Sequence, residues 1–186
     1  MLECRRPPRL PAVNFLGGRC GLPEIQVGDR VPEVILIGPD RQPVRLSSLL
    51  GQPLVLAFFP AAFTPTCTRE MCAFRDGLER FNQLKARVVG ISVDLPASLQ
   101  AFAEHLGLNF PLLSDYGRQA VRAFGVEDPK PFAGLFPGLA RRAVFVVDPQ
   151  GIVVYRWVSE DPKVEPPYPE VEQAAASVAD RTPSVR

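Results

Sequence analysis

Leu54-Val55-Leu56-Ala57-Phe58-Phe59-Pro60-Ala61-Ala62-Phe63-Thr64-Pro65-Thr66-Cys67-Thr68-Arg69-Glu70-Met71-Cys72 changes its pattern at one proline. The part before it, Leu54 to Phe59, is short, apolar without alternation and rich in branched and aromatic side chains, which suits a strand buried on both faces. Beyond it, Met71, Phe74, Leu78, Phe81 and Leu84 recur at three- and four-residue steps, the period of a helix with one buried stripe. Thr64 or Thr66 can cap that helix, and Pro65 is tolerated there because an early helical N–H has no intrahelical partner. Cys67 therefore sits in the first turn.

That placement favours a nucleophile. Unpaired N–H groups and the positive end of the helix dipole stabilise a thiolate over a thiol. A free cysteine, with a pKa of about 8.5, is only about 3 % thiolate at pH 7. Lowering such a thiol to about 6 takes roughly 3.4 kcal/mol, and a helix terminus supplies about 0.3 to 2 of it. A cation is needed as well.

Cys72 lies five residues further on. In an ideal helix this is a rise of about 7.5 Å and a rotation of about 140° from the first cysteine's face. The implied Cα separation of roughly 8 to 9 Å exceeds the reach of a disulfide, about 7 Å, so a bond between the two requires the helix to unwind locally. The alternative role of Cys72 is a small apolar core residue.

Pro60, Thr64 and Cys67 at this spacing, with Glu70 following, resemble the active-site signature of the peroxiredoxins, in which the matching cysteine is the peroxidatic residue. Cys72 and the continuation Ala73-Phe74-Arg75-Asp76 resemble the bacterioferritin-comigratory-protein or peroxiredoxin Q class, whose resolving cysteine, when present, lies five residues after the peroxidatic one. The likeness runs from about Ile25 to about Val158. It implies an α/β, thioredoxin-like fold with an N-terminal β-hairpin extension. It also implies a thiol-dependent peroxidase acting on hydrogen peroxide or organic hydroperoxides. Cys72 would resolve Cys67 as an intramolecular disulfide, and a thioredoxin- or glutaredoxin-like reductant would recycle it. No cofactor and no metal are called for, and the protein is expected as a monomer or homodimer.

Composition bounds the remaining classes. At 186 residues with a net charge of +1, the chain is expected to form one domain with a substantial core, with no basis for nucleic-acid or membrane-surface partners. No apolar run reaches the roughly 18 residues of a membrane span, and the N-terminus lacks the continuous apolar core of a signal peptide, so a cytoplasmic location is expected. Four cysteines are too few for a disulfide framework, and with a single histidine they match no zinc pattern. A general disulfide reductase would carry two cysteines separated by two residues at the helix start. A copper carrier would need a closely spaced cysteine pair and a downstream histidine, whereas His105 precedes the relevant loop.

Residues 1–24, rich in Pro, Arg and Gly and holding Cys4 and Cys20, read as an extension that is poorly ordered or wraps the domain. The thioredoxin-like domain is expected over 25–160, with 161–186 as a tail carrying a short helix from Glu170 to Ala179. Within the domain, Val31 to Ile37 and Pro43 to Leu46 flank the turn sequence Gly38-Pro39-Asp40-Arg41 and read as a hairpin, followed by a helical turn at Ser47 to Gly51. Arg87 to Val93 reads as a strand, Leu95 to Leu106 as a helix, Phe110 to Leu113 as a strand and Arg118 to Phe124 as a helix ended at Gly125. Strand, helix, strand, helix requires parallel pairing. Gly125 to Leu139 reads as a surface loop. Ala143 to Val147 and Ile152 to Trp157 flank Asp148-Pro149-Gln150-Gly151, a turn that makes the pair antiparallel.

A peroxidatic site must stabilise a thiolate, hold the peroxide, and stabilise charge on the departing oxygen. In the family's pattern Thr64 offers its hydroxyl to the peroxide, and Pro60 shapes and shields the pocket. The cation matching the family's Arg-x-x-Phe strand is Arg142, three residues before Phe145, rather than the adjacent Arg141. Glu70, unpaired, would oppose a thiolate, so it is expected to engage and orient that arginine. His105 reads as a solvated helix-end residue, and Trp157, alternating with Tyr155 on a strand, as packing.

Overall fold

A computed structural model describes residues 24–129, 131 and 135–179. In chain order the elements are β1 (Ile35–Ile37), β2 (Pro43–Arg45), a 3-10 turn (Leu46–Leu49), β3 (Leu54–Phe58), α1 (Pro65–Gln83), β4 (Arg87–Ser92), α2 (Pro96–Leu106), β5 (Leu112–Ser114), α3 (Gln119–Ala123), β6 (Ala143–Val147), β7 (Val153–Val158) and α4 (Tyr168–Ala179). Residues 1–23, with Cys4 and Cys20, lie outside the described residues.

The strands form one sheet in the order β2-β1-β5-β4-β3-β6-β7. β3 pairs in parallel with β4 and antiparallel with β6, so it lies inside the sheet and is wholly buried, as its unalternating apolar run requires. Its side chains divide by parity. Leu54, Leu56 and Phe58 join a core completed by Val121 of α3 and Phe124 at its C-cap, while Val55, Ala57 and Phe59 join one completed by α1, α2 and α4. The expected thioredoxin-like arrangement, preceded by the β1–β2 hairpin, is present.

α1 packs its periodic stripe inward, with Met71, Phe74, Leu78 and Phe81 buried. Gly90 of β4 lets it approach closely, since a Cβ there would lie 2.4 Å from Leu112 Cδ2 and 3.3 Å from Met71 Sδ. At the β6–β7 turn, Asp148 Oδ1 accepts from the N–H of Gln150 and of Ile152 at 2.9 and 2.8 Å, and Gly151 takes φ 88°. Val171, Ala175 and Val178 of α4 are buried in the same core as α1, so this helix packs against the sheet.

Val31 to Val34 is not a strand. Pro32 has no N–H to offer a ladder, and the preceding residues pair elsewhere: Val31 N–H donates to Gly151 O at 2.9 Å and Gly28 N–H to Val153 O at 2.8 Å. The N-terminal segment is thereby tied to the β7 edge while β1 pairs with β5.

Candidate active site

Pairing places the candidate residues at one end of the sheet. Phe58, the last residue of β3, lies opposite Ala143, the first of β6. The loop that leaves β3 through Pro60 and the arginine that precedes β6 therefore meet at the same edge. α1 begins there, with Thr64 at its N-cap position and Pro65 at the first helical one. Cys67 lies within the first turn, 1 % exposed.

Thr64 occupies the cap position without capping through its side chain. Its hydroxyl donates to Ala61 O at 3.0 Å, and its carbonyl accepts the Thr68 N–H at 2.9 Å. The first helical N–H groups thus keep their dipole directed at the site. Phe63 has φ 61°, a conformation that costs an aromatic residue on the order of 1–3 kcal/mol and persists only where the surroundings hold it.

Arg142 is buried at 1 % exposure and has its charge neutralised locally. Its Nη1 pairs with Glu70 Oε2, and its Nη2 lies 3.4 Å from Cys67 Sγ and 2.9 Å from Pro162 O. The guanidinium, shared between Glu70 and Cys67, and the helix end both present positive charge to the Cys67 sulfur. Arg141 points away, donating to Glu24 Oε1 at 3.0 Å and Gly125 O at 2.7 Å.

Glu70 is wholly buried, and its Oε1 has no hydrogen-bond partner. Burial pushes its carboxyl up to about 7, and the charge and hydrogen bond of Arg142 recover only part of that shift. Arg142 is itself raised further: burial works against its charge, and Glu70 and Cys67 outweigh it. The cluster therefore holds one permanent cation between two groups able to carry negative charge.

Cys72 is half-buried on the same unbroken α1 and, like Cys67, is a free thiol. His105 is exposed in the last turn of α2, its ring 5.9 Å from that of Phe63. Trp157 packs against the core from β7. A recess of about 80 Å³ lies beside Pro60 and Arg142, bounded by Ser159 and Pro162. Larger recesses of about 260 and 360 Å³ contain none of these residues, so size does not mark the site. Among the described residues, no group of three or more His, Cys, Asp or Glu side chains is placed to hold a metal ion.

The structure also shows contacts that sequence reasoning did not find. Glu165 accepts from Arg69 Nε at 2.8 Å and from the Tyr168 hydroxyl at 2.9 Å, and Tyr168 sets its ring edge-on to Phe74 at 5.4 Å. The segment before α4 is thereby fastened to the first turns of α1. Burial, with Glu70 and Glu165 nearby, holds the Tyr168 phenol well above its ordinary range. Asp94 accepts the N–H of Ala62 at 2.8 Å. Its sequence signal was position: a polar residue just past a buried strand, at the carboxyl end where α/β sheets place their sites.

The profile of the AhpC/TSA family matches residues 27–156. The chain belongs to the AhpC/TSA family of peroxiredoxins. A chloroplastic peroxiredoxin Q of Triticum aestivum is 41% identical over 136 residues, 73% of this chain and 59% of that protein. The matched part thus spans less than two thirds of that relative. Among solved structures, the peroxidoxin BcpB of Mycobacterium tuberculosis superposes with a TM-score of 0.70 at 34% identity, covering 88% of this chain and 99% of that one. A Xanthomonas campestris peroxiredoxin Q gives a TM-score of 0.65 at 29% identity, covering 80% and 90%. This peroxiredoxin therefore resembles the peroxiredoxin Q class, and the thioredoxin-like fold is shared with these neighbours. Among the described residues, no helix is long and apolar enough to cross a membrane.

Proposed function

We propose that the protein is a thiol-dependent peroxidase that reduces hydrogen peroxide and organic hydroperoxides through Cys67. The observation that carries this reading is the double engagement of Arg142, which touches Cys67 Sγ at 3.4 Å and pairs with Glu70 inside the fold. Cys67 thiolate attacks one peroxide oxygen; the S–O bond forms as the O–O bond breaks, and hydroxide or alkoxide leaves and takes a proton to become water or alcohol. Sulfur is oxidised to the sulfenic acid. Arg142 and the helix N–H groups stabilise the charge on sulfur and on the departing oxygen. Thr64 holds the peroxide with its hydroxyl lone pairs, and Pro60 shapes and shields the site.

Cys72 thiolate then attacks Cys67 Sγ, forming the disulfide as the S–O bond breaks and hydroxide leaves, taking a proton to become water. A thioredoxin- or glutaredoxin-like dithiol reduces that bond by exchange. We place the enzyme in the cytoplasm, as a monomer or homodimer, with 25–160 as the catalytic domain. The test is peroxide consumption by wild type and C67S. A serine hydroxyl is not appreciably ionised at neutral pH and carries no sulfur to be oxidised, so C67S should retain less than a few per cent of wild-type consumption. Greater residual activity removes the assignment.

A further inference from the structure

We infer that Asp94 is a positioning residue for the peroxide step, suspending the loop that carries Pro60 and Thr64 from the carboxyl end of β4. The inference rests on the peroxidase reading above. Asp94 follows β4 by two residues, and its Oδ2 accepts from the Ala62 N–H at 2.8 Å and from the Ser92 hydroxyl at 2.7 Å. Ser92 is buried, and its oxygen in turn accepts the Asp94 N–H at 3.2 Å. The buried Ser114 of β5 donates to Asp94 O at 2.5 Å. Two adjacent parallel strands thus fix Asp94, and Asp94 fixes Ala62.

Ala62 stands between two constrained points. Before it, Ala61 O accepts the Thr64 hydroxyl, which sets that hydroxyl's direction; after it, Phe63 takes φ 61°. The loop cannot hold such a backbone unaided. Releasing the Ala62 N–H lets Phe63 relax, which moves the Thr64 oxygen that would hold the peroxide while leaving Arg142, just before β6, beside Cys67. A misplacement of about 1 Å at a reacting group costs about 100-fold in rate. Asp94 therefore acts on how peroxide is held and leaves thiolate chemistry unaltered.

The test compares wild type, D94A and D94N by two reactions of Cys67: the second-order rate of oxidation by hydrogen peroxide, and the rate of alkylation by iodoacetamide, mapped to Cys67 by mass spectrometry. D94A should be oxidised about 30-fold more slowly, within the cost of such a displacement, and alkylated within about threefold of wild type. D94N keeps one oxygen that can accept both hydrogen bonds, so it should remain within about threefold in both reactions. The positioning role is overturned if D94A is oxidised at the wild-type rate, if both reactions of D94A slow together, or if D94N is as slow as D94A. Wild-type protein that leaves peroxide unconsumed removes the peroxidase reading itself, and this inference with it.

Discussion

Arg142 and Glu70 form an ion pair with both side chains withdrawn from solvent, at 1% and 0% exposure. Pairing inside the fold costs desolvation at both ends, and the unpartnered Oε1 shows that Glu70 is not fully compensated.

A pH dependence follows from this pair. With its carboxyl raised from 4.5 to about 7, Glu70 retains in the folded protein a proton that the unfolded chain releases over that interval. Its contribution to stability is fully present below pH 4.5 and is lost as pH rises through about 7. At about 1.4 kcal/mol per pH unit the loss is about 3 kcal/mol. Urea unfolding of wild type and E70Q from pH 4 to 8 checks it, because E70Q should lack this decline. Parallel curves for the two proteins would show that Glu70 does not titrate in the folded state.

R142K should lower the rate of Cys67 oxidation about 100-fold although the charge is kept. The planar fork reaches Glu70, Cys67 and Pro162 O together, which a single ammonium cannot do, and charge stabilisation of this kind is worth about 100- to 1000-fold. R141K, altering an arginine turned toward Glu24 and Gly125, should change the rate by less than about threefold. A larger loss in R141K than in R142K would reverse the assignment.

Cys67 and Cys72 share one continuous helix, so a disulfide between them would require its first turns to melt. Amide exchange over residues 63 to 74 should accelerate in the oxidised protein relative to the reduced one. C72S should form the sulfenic acid at the wild-type rate and then accumulate it. Disulfide formation in C72S at the wild-type rate would show that another thiol resolves Cys67.

The clasp between Arg69 and Glu165 opposes that melting. Because the two side chains are 57% and 28% exposed, the pair is worth about 0.2–1 kcal/mol. E165Q should therefore speed conversion of sulfenic acid to disulfide by no more than about fivefold, read by stopped-flow kinetics. A slower conversion would mean that the clasp assists the step.

Much of this arrangement was legible in the chain. Leu54 to Phe59 reads as a fully buried strand because a strand covered on both faces has no polar alternation, and the stripe from Met71 to Phe81 marks α1. Arg142 is separable from Arg141 by the family's Arg-x-x-Phe pattern, and of the two arginines just before β6 it is Arg142 that meets Cys67 while Arg141 turns to Glu24 and Gly125. Contacts between distant segments were not legible. Asp94 meets Ala62 across 32 residues, and Arg69 meets Glu165 across 96, distances at which no periodicity links the partners. Thr64 or Thr66 suits the cap by residue type, and Thr64 does take the N-cap position, but its hydroxyl turns to Ala61 O rather than to a helical N–H. The segment from Val31 to Val34 was read as a strand from its apolar residues, although Pro32 removes a donor the ladder needs.

The most direct measurement is to treat the reduced protein with one equivalent of hydrogen peroxide and map its cysteines by mass spectrometry alongside thiol counting. The account predicts that Cys67 is consumed first, as a sulfenic acid in C72S and as a Cys67–Cys72 disulfide in wild type, with two thiols lost per peroxide. Cys67 recovered as an intact thiol, with the peroxide unconsumed or another residue oxidised, would contradict it.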